Sequence, residues 1–304
     1  MSEAETTDNP GEILTVGDMK VGATMVFNHF MAPEFMKASV RLVEAAGYNS
    51  VWLPEHVVFL ADYASTYPYS DDGRIPGDPE GVLDPFSALT FIASATTRIR
   101  LGTGICLVPQ RQPIYTAKMV ADLDYLSGGR VDFGIGIGWL KEEFDHLNMD
   151  FRTRAGRCLE YVEVMQALWA PGVASYQGDT VTLDGCYFNP KPIQQPHPPI
   201  FFGGESDAAL NRVVSHGQGW YGFNLSPEGL SERLGRLREL AERAGRDPDE
   251  ILIYIGPSTH PINPDTVAAY AELGVDQLVV PLAAGNLDKL ASRAEAMLSR
   301  LGMS

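Results

Sequence analysis

The chain of 304 residues is 45% hydrophobic, 10% aromatic and 20% charged, which supplies a large core and excludes a disordered, collagenous or low-complexity protein. Thirty-nine acidic against 23 basic side chains leave a formal charge of -16, which repels nucleic-acid phosphates and anionic membranes and argues against both as partners. Cys106, Cys158 and Cys186 are odd in number and lack zinc-site spacing, a pattern that fits a reducing cytoplasm.

Residues 1–19 open with the acidic, polar MSEAETTDNPGE, which has neither the basic start nor the apolar run of an export signal and reads as a flexible leader. No later stretch approaches the roughly 18 apolar residues of a membrane span. From Lys20 the pattern alternates between short β-rich runs and longer segments of helical period, the mark of parallel βα units. The predicted strands are VGATMVF from Val21, NSVWL from Asn49, IRLGTGIC from Ile99, VDFGIGI from Val131, PIFFG from Pro199, GQGWYG from Gly217, ILIYIG from Ile251 and DQLVVPL from Asp276. Asp84, Ser226 and Asn263 each stand before a proline and predict capped helix starts. Gly128, Gly245 and Gly274 predict the stops of the third, sixth and seventh helices. On the fourth helix Tyr161, Val162, Met165, Leu168 and Trp169 fall at helical spacing and read as core.

Eight such units predict an α/β protein with a TIM (β/α)8 barrel over residues 20–304, an open doubly wound sheet being the alternative. Two insertions interrupt the alternation, at about 54–83 and 170–198, the second with strand-like pieces around Tyr176, Val181 and Tyr187. Neither has the linker composition or core of a separate domain.

Candidate chemistry gathers at the expected strand ends. Gly134, Gly136 and Gly138 share one face of the fourth strand, smoothing it either for close approach to its backbone or for packing against a helix. Gly203, Gly204, Glu205 and Ser206 separate a buried strand from a helix; free N–H groups there suit a phosphate, while Ser206 as a simple helix cap is the plainer reading. Glu205 would oppose a phosphate unless it points outward. Glu55 and His56 end the second strand, where a histidine can exchange a proton or merely sit in a solvated loop. The histidines show no metal-ligand spacing, and the nucleophile-elbow and P-loop motifs are absent.

The stretch from IRLGTGICLVPQRQPIYTAKMVADLDYLSGGR through VDFGIGIGWLKEEFDHLNMDFRTRAGRCLEYVEVMQALW resembles the luciferase-like monooxygenase superfamily, in particular its deazaflavin-dependent branch. The likeness continues in YNSVWLPEHVVF, DYASTYPYSDDGRIP, FNPKPIQQPHPPIFFGG and ALNRVVSHGQGWYG, to about Phe223. It implies a bacterial luciferase-like barrel that holds coenzyme F420, or alternatively FMN, over its mouth. It also implies a cis peptide between Gly104 and Ile105 after Thr103, forming a bulge behind the ring. By the same resemblance Glu55 and His56 are catalytic, with His56 the proton carrier. Thr103, Gly104, Ile105, Gly138, Trp139 and the turn Gly203, Gly204, Glu205 and Ser206 would contact the cofactor. Trp139 stands where sugar-phosphate dehydrogenases of the family carry an acid, which argues against a sugar-phosphate substrate.

Arg111, Arg152, Lys141 and Arg154 follow strands at the expected mouth and are candidate cations for a phosphate and oligoglutamate tail, with Arg111 and Arg152 foremost. Arg157 is expected instead to pair with Glu160 on the helix surface. Phe59, Tyr63, Tyr67 and Tyr69 in the first insertion suggest a lid over the site or a static packed loop. The implied function is hydride transfer between F420 and a small organic substrate. The alternatives are an FMN-dependent monooxygenase served by a separate reductase and a noncatalytic flavin-binding protein. The resemblance further implies a homodimer.

Overall fold

The computed structural model describes residues 11–76 and 81–303. Eight parallel strands form the barrel: β1 (Met19–Thr24), β2 (Ser50–Leu53), β3 (Arg100–Thr103), β4 (Val131–Gly136), β5 (Ile200–Gly203), β6 (Gly219–Phe223), β7 (Leu252–Gly256) and β8 (Gln277–Pro281). Each pairs with the next, and β8 returns to β1 through Leu278 opposite Val21 and Val280 opposite Ala23, which closes the cylinder. An open sheet is thereby excluded.

The following helices are α1 (Pro33–Ala45), α2 (Pro85–Ala93), α3 (Pro113–Ser127), α4 (Arg154–Trp169), α5 (Asp207–His216), α6 (Pro227–Arg243), α7 (Pro264–Glu272) and α8 (Leu287–Arg300). Their sequence signals act locally as expected. Asp84 accepts from the Ser87 N–H at 2.8 Å, Ser226 from Gly229 at 3.2 Å, and Asn263 forms a reciprocal box with Thr266. Gly128, Gly245 and Gly274 stop their helices with φ of 74°, 70° and 79°. Tyr161, Val162, Met165, Leu168 and Trp169 of α4 are buried between helices and barrel.

One expectation changes. Residues 1–10 lie outside the described residues, but Thr15–Val16 pairs antiparallel with Lys20 and Met19, and the Leu14 N–H donates to the Gly47 carbonyl at 2.8 Å. The leader therefore becomes part of the fold before residue 19. Backbone hydrogen bonds made by this short hairpin outweigh the polar composition that suggested looseness. The insertion at 170–198 carries a hairpin of Ala174–Gln177 and Thr182–Cys186, in keeping with its strand-like pieces.

The barrel interior is an aromatic stack. Trp52 lies parallel to Tyr221 with ring centroids 4.8 Å apart and meets Phe201 and Tyr254 edge-on at 5.8 Å. Its indole N–H donates to the Ser50 hydroxyl at 2.8 Å. So large a ring fits because the neighbouring strands carry glycine: a Cβ at Gly102 would overlap the indole, and one at Gly134 would overlap the Thr103 carbonyl as well as crowd Trp52 at 2.9 Å. Gly134→Ala is expected to lower stability by about 1–3 kcal/mol through overpacking. Gly156→Ala, in α4 with nothing within 4 Å, is expected to raise it by roughly 0.5–1 kcal/mol. Urea denaturation of both variants checks the opposite signs.

Candidate active site

The floor of the barrel mouth is built by one extra residue in the third strand. Gly102 stands opposite Asp132, and the ladder resumes with Cys106 opposite Ile135, so three residues on one strand face two on the other. The Gly104–Ile105 peptide within this bulge is cis, as the resemblance implies. The Thr103 hydroxyl donates to the Gly134 carbonyl at 2.6 Å and the Gly104 N–H to Leu53 at 2.7 Å. Ile105 projects between Gly136, where a Cβ would overlap its Cδ1, and Gly203, where a Cβ would stand 3.4 Å away. What approaches the smooth face at Gly134 and Gly136 is thus the chain's own Trp52 and bulge, whereas Gly138 packs against Phe144 of the short helix Lys141–His146.

Glu55 and His56, adjacent in sequence, enter different networks. Glu55 is buried; it accepts from the Leu107 N–H at 2.5 Å and from Arg111 Nε at 2.6 Å, and Arg111 Nη2 also contacts it. Arg111 reaches on to Asp84 at 2.5 Å. This ion-paired chain ties the end of β2 to the exit of the bulge and occupies the Arg111 charge with protein carboxylates. The His56 side chain is 14% exposed, and its Nδ1 lies 3.1 Å from Glu143 Oε2.

Glu143 was missed by sequence reasoning. It sits on the short helix Lys141–His146 after β4, fully buried, and accepts from Gln110 Nε2 at 3.0 Å and from the N–H groups of Val57 and Val58 at 2.8 and 3.4 Å. Burial raises its pKa, but the His56 contact and these donors outweigh burial and hold it below the usual 4.5. An ionised carboxylate only accepts, so His56 Nδ1 carries the proton in this contact and Nε2 is left to take up or release one. Nε2 has no protein partner among the described residues.

Glu142, the preceding residue, does a different job. It accepts from Ala64 N at 2.7 Å, Ser65 N at 3.1 Å and the Ser65 hydroxyl at 2.6 Å, pinning the first insertion over the mouth. Tyr63 and Tyr67 pack edge-on against Trp139 at 5.7 and 5.2 Å, and His56 lies 6.2 Å from the same indole. Farther along, Tyr69 packs on Phe223 at 5.0 Å and donates to Glu205 Oε2 at 2.9 Å. The loop therefore bridges the mouth from β2 to the turn after β5; residues 77–80 lie outside the described residues.

In that turn Gly204 has φ of 98°, its carbonyl accepts from Trp220 Nε1 at 3.0 Å, and the Ser206 hydroxyl accepts from Ala209 N at 3.2 Å as a helix cap. Glu205 leaves the turn sideways, taking the Phe223 N–H at 2.9 Å on its other oxygen. Burial raises its pKa. Ser206 itself is exposed at the start of α5.

The expected tail cations are not assembled. Lys141 pairs with Asp145 at 2.5 Å, and the Arg152 side chain is 92% exposed beside Asp150 at 3.8 Å. Arg154 donates to the Gly138 carbonyl at 3.2 Å and stacks over Phe151 at 3.6 Å. Arg157 corrects the expectation of a surface pair with Glu160. It is buried and donates to the carbonyls of Pro109 at 3.0 Å and Asp150 at 2.9 Å, while Glu160 binds the N–H groups of Thr180 and Val181. Three carbonyl and hydroxyl acceptors, from Pro109, Asp150 and Thr153, outcompeted one half-buried carboxylate that has backbone donors of its own.

Among the described residues no group of three or more His, Cys, Asp or Glu side chains could hold a metal, and no helix is long and apolar enough to cross a membrane.

Comparison with known proteins matches residues 13–300 to the luciferase-like monooxygenase family. An uncharacterized protein of Mycobacterium tuberculosis is 31% identical over 268 residues, 87% of this chain and 93% of its own. The monooxygenase RslO1 from Streptomyces bottropensis superposes with a TM-score of 0.71 at 19% identity, covering 92% of this chain and 98% of that one. The coenzyme F420 dependent tetrahydromethanopterin reductase from Methanopyrus kandleri does so with 0.71 at 19% identity, covering 92% and 96%.

The Glu143 contact carries a pH signature. Its folded pKa lies below 4.5, so the stabilisation is complete above that ordinary value and is lost as pH falls through the lower folded one. Glu143→Gln is expected to cost about 1–3 kcal/mol at neutral pH, and the difference from wild type should shrink in acid. Denaturation midpoints measured from pH 7 downward check this; a gap independent of pH would refute it.

Proposed function

The chain belongs to the luciferase-like monooxygenase family, and from that premise we propose that it is an F420-dependent oxidoreductase, moving a hydride between the deazaflavin and a small organic substrate while His56 handles the proton. The observation that carries this reading is the His56 and Glu143 pair, an oriented imidazole with one nitrogen free beside the bulge. A hydride donor or acceptor needs a proton exchanged nearby, and this pair supplies it.

The mouth fits a flat ring. Gly104, Ile105, Ile137, Gly138, Trp139, Gly203 and Gly204 keep partial exposure, although the strands beneath them are almost wholly buried. When bound, the deazaflavin supplies the two-electron chemistry. The chain supplies the rest. Gly104 and Ile105 would support one ring face, with Thr103 bracing the bulge through the Gly134 carbonyl. The N–H groups at Gly204 and Ser206 would face a phosphate, since Glu205 is turned toward Tyr69 and Phe223. Glu143 fixes the His56 tautomer and ring direction. Phe59, Tyr63 and Tyr67 gather around His56 and Trp139, an apolar wall that excludes water and suits an uncharged substrate. Glu55 acts through the bulge as a positioning residue.

Solved neighbours on this barrel include an F420-dependent reductase and a monooxygenase in equal measure of likeness. Fluorescence titration with F420 and FMN separates the readings: F420 is expected to bind, and binding of FMN alone would make the protein an oxygenase candidate served by a separate reductase. His56→Ala should lower turnover on the order of 100-fold with little change in cofactor affinity. Unchanged turnover would remove His56 from the reaction.

A further inference from the structure

The three tyrosines of the loop that covers the mouth use their hydroxyls differently. That of Tyr63 accepts from the Ile75 N–H at 3.0 Å, and that of Tyr69 donates to Glu205 Oε2 at 2.9 Å. The Tyr67 hydroxyl has no hydrogen-bond partner among the described residues, yet it keeps contact with solvent, whereas the unpartnered hydroxyl of Tyr48 is sealed in the core. The residue itself is firmly held. Its N–H donates to the Gly73 carbonyl at 2.8 Å, Glu142 takes the preceding N–H groups of Ala64 and Ser65, and its ring packs edge-on against Trp139 at 5.2 Å and Tyr69 at 5.6 Å.

The rings form a line. His56, Trp139, Tyr67, Tyr69 and Phe223 follow one another at centroid spacings of 6.2, 5.2, 5.6 and 5.0 Å, from the end of β2 to the end of β6, strands that stand opposite each other in the closed barrel. Tyr67 is the middle ring. As a piece of apolar wall a phenylalanine would serve equally well, and once a ligand fills the mouth and expels water, a hydroxyl there is left wanting a partner. The ligand can be that partner. Burial raises the Tyr67 pKa, so the phenol keeps its proton at neutral pH and offers both a donor and an acceptor. Arg74, stacked over Tyr63 at 4.5 Å, is taken up by the Tyr63 carbonyl at 2.9 Å and by Asp62 at 4.0 Å, so it is not offered to an acidic compound.

We infer that the Tyr67 hydroxyl binds the oxygen of the substrate, a small uncharged compound that carries a carbonyl or hydroxyl group on an apolar frame. The inference rests on the proposed function and adds to it a substrate-binding residue and a substrate class. Phe59 and the rings of Tyr63 and Trp139 would take the frame. Tyr67 would give its hydrogen bond without giving up its proton, which leaves proton exchange to Nε2 of His56. A loop residue fixed by Gly73 and Glu142 pays little further entropy to make that bond.

The test uses two pairs of near-isosteres, cyclohexanone against methylenecyclohexane and acetophenone against α-methylstyrene, in which a methylene replaces the carbonyl oxygen. Their binding to the full chain is measured by titration calorimetry, with F420 present and without it. Wild type should prefer each ketone on the order of tenfold, and Tyr67→Phe should erase the preference while leaving the hydrocarbon affinity unchanged. Equal affinities in wild type, a preference that survives Tyr67→Phe, or no binding of any of the four compounds overturns the assignment while leaving the cofactor reading intact. A preference that survives would give the oxygen to His56 or Trp139. Failure of F420 to bind fells the cofactor reading alone, and the titrations without it then decide on Tyr67 by the same criteria. Without ligand, Tyr67→Phe should melt with wild type, whereas Tyr63→Phe and Tyr69→Phe, each losing a hydrogen bond, should melt lower. If Tyr67→Phe melts as low as Tyr69→Phe, the hydroxyl is structural and the assignment falls.

Discussion

The mouth of this barrel depends on one steric constraint: Trp52 and the extra residue of β3 occupy space that only glycine on the neighbouring strands leaves free. Gly102 and Gly134 admit the indole, Gly134 admits the Thr103 carbonyl, and Gly136 admits Ile105. The bulge then decides where the next residues go. Leu107 is brought to the Glu55 carboxylate, and the turn Val108–Gln110 delivers Gln110 to Glu143. A packing decision deep in the barrel is thus transmitted along the chain to Gln110 and through one hydrogen bond to the residue that orients His56.

Three carboxylates around the mouth are each assigned to one donor set, and that division separates functions that sequence proximity would merge. Glu55 holds the bulge through Leu107 and Arg111. Glu142 holds the loop through Ser65, and Glu143 holds His56. Each accepts from several donors, so none is left with an unsatisfied oxygen pair facing the mouth.

Much of the fold was legible because its determinants are local. Asp84, Ser226 and Asn263 cap helices through contacts three residues away, and Gly128, Gly245 and Gly274 end them through their own backbone. Alternating strand and helix patterns located all eight βα units, and the family resemblance pointed to the cis bond after Gly104. The site was less legible, since its defining contacts are distant. His56 meets Glu143 across 87 positions and Tyr69 meets Glu205 across 136. The consecutive acids of WLKEEF, directly after a glycine-rich strand, were the available signal for Glu143. The partners of Arg111 and Arg157 are hidden in the sequence for the same reason: a long cationic side chain takes whichever acceptors tertiary structure brings, and sequence neighbours do not include Asp84, Glu55 or Pro109.

Glu205 shows how the covering loop and the turn after β5 are coupled. One oxygen receives the Tyr69 hydroxyl from the loop and the other the Phe223 N–H at the end of β6, while its own backbone belongs to the turn at the start of α5. Displacing the loop would deprive this buried carboxylate of a donor, and shifting the turn would withdraw the acceptor from Tyr69. Loop and turn therefore hold each other in place through this one carboxylate. His56, which packs on Phe59 of the same loop, is in this way linked to the rim of the mouth farthest along it, with no contact between the histidine and the turn among the described residues.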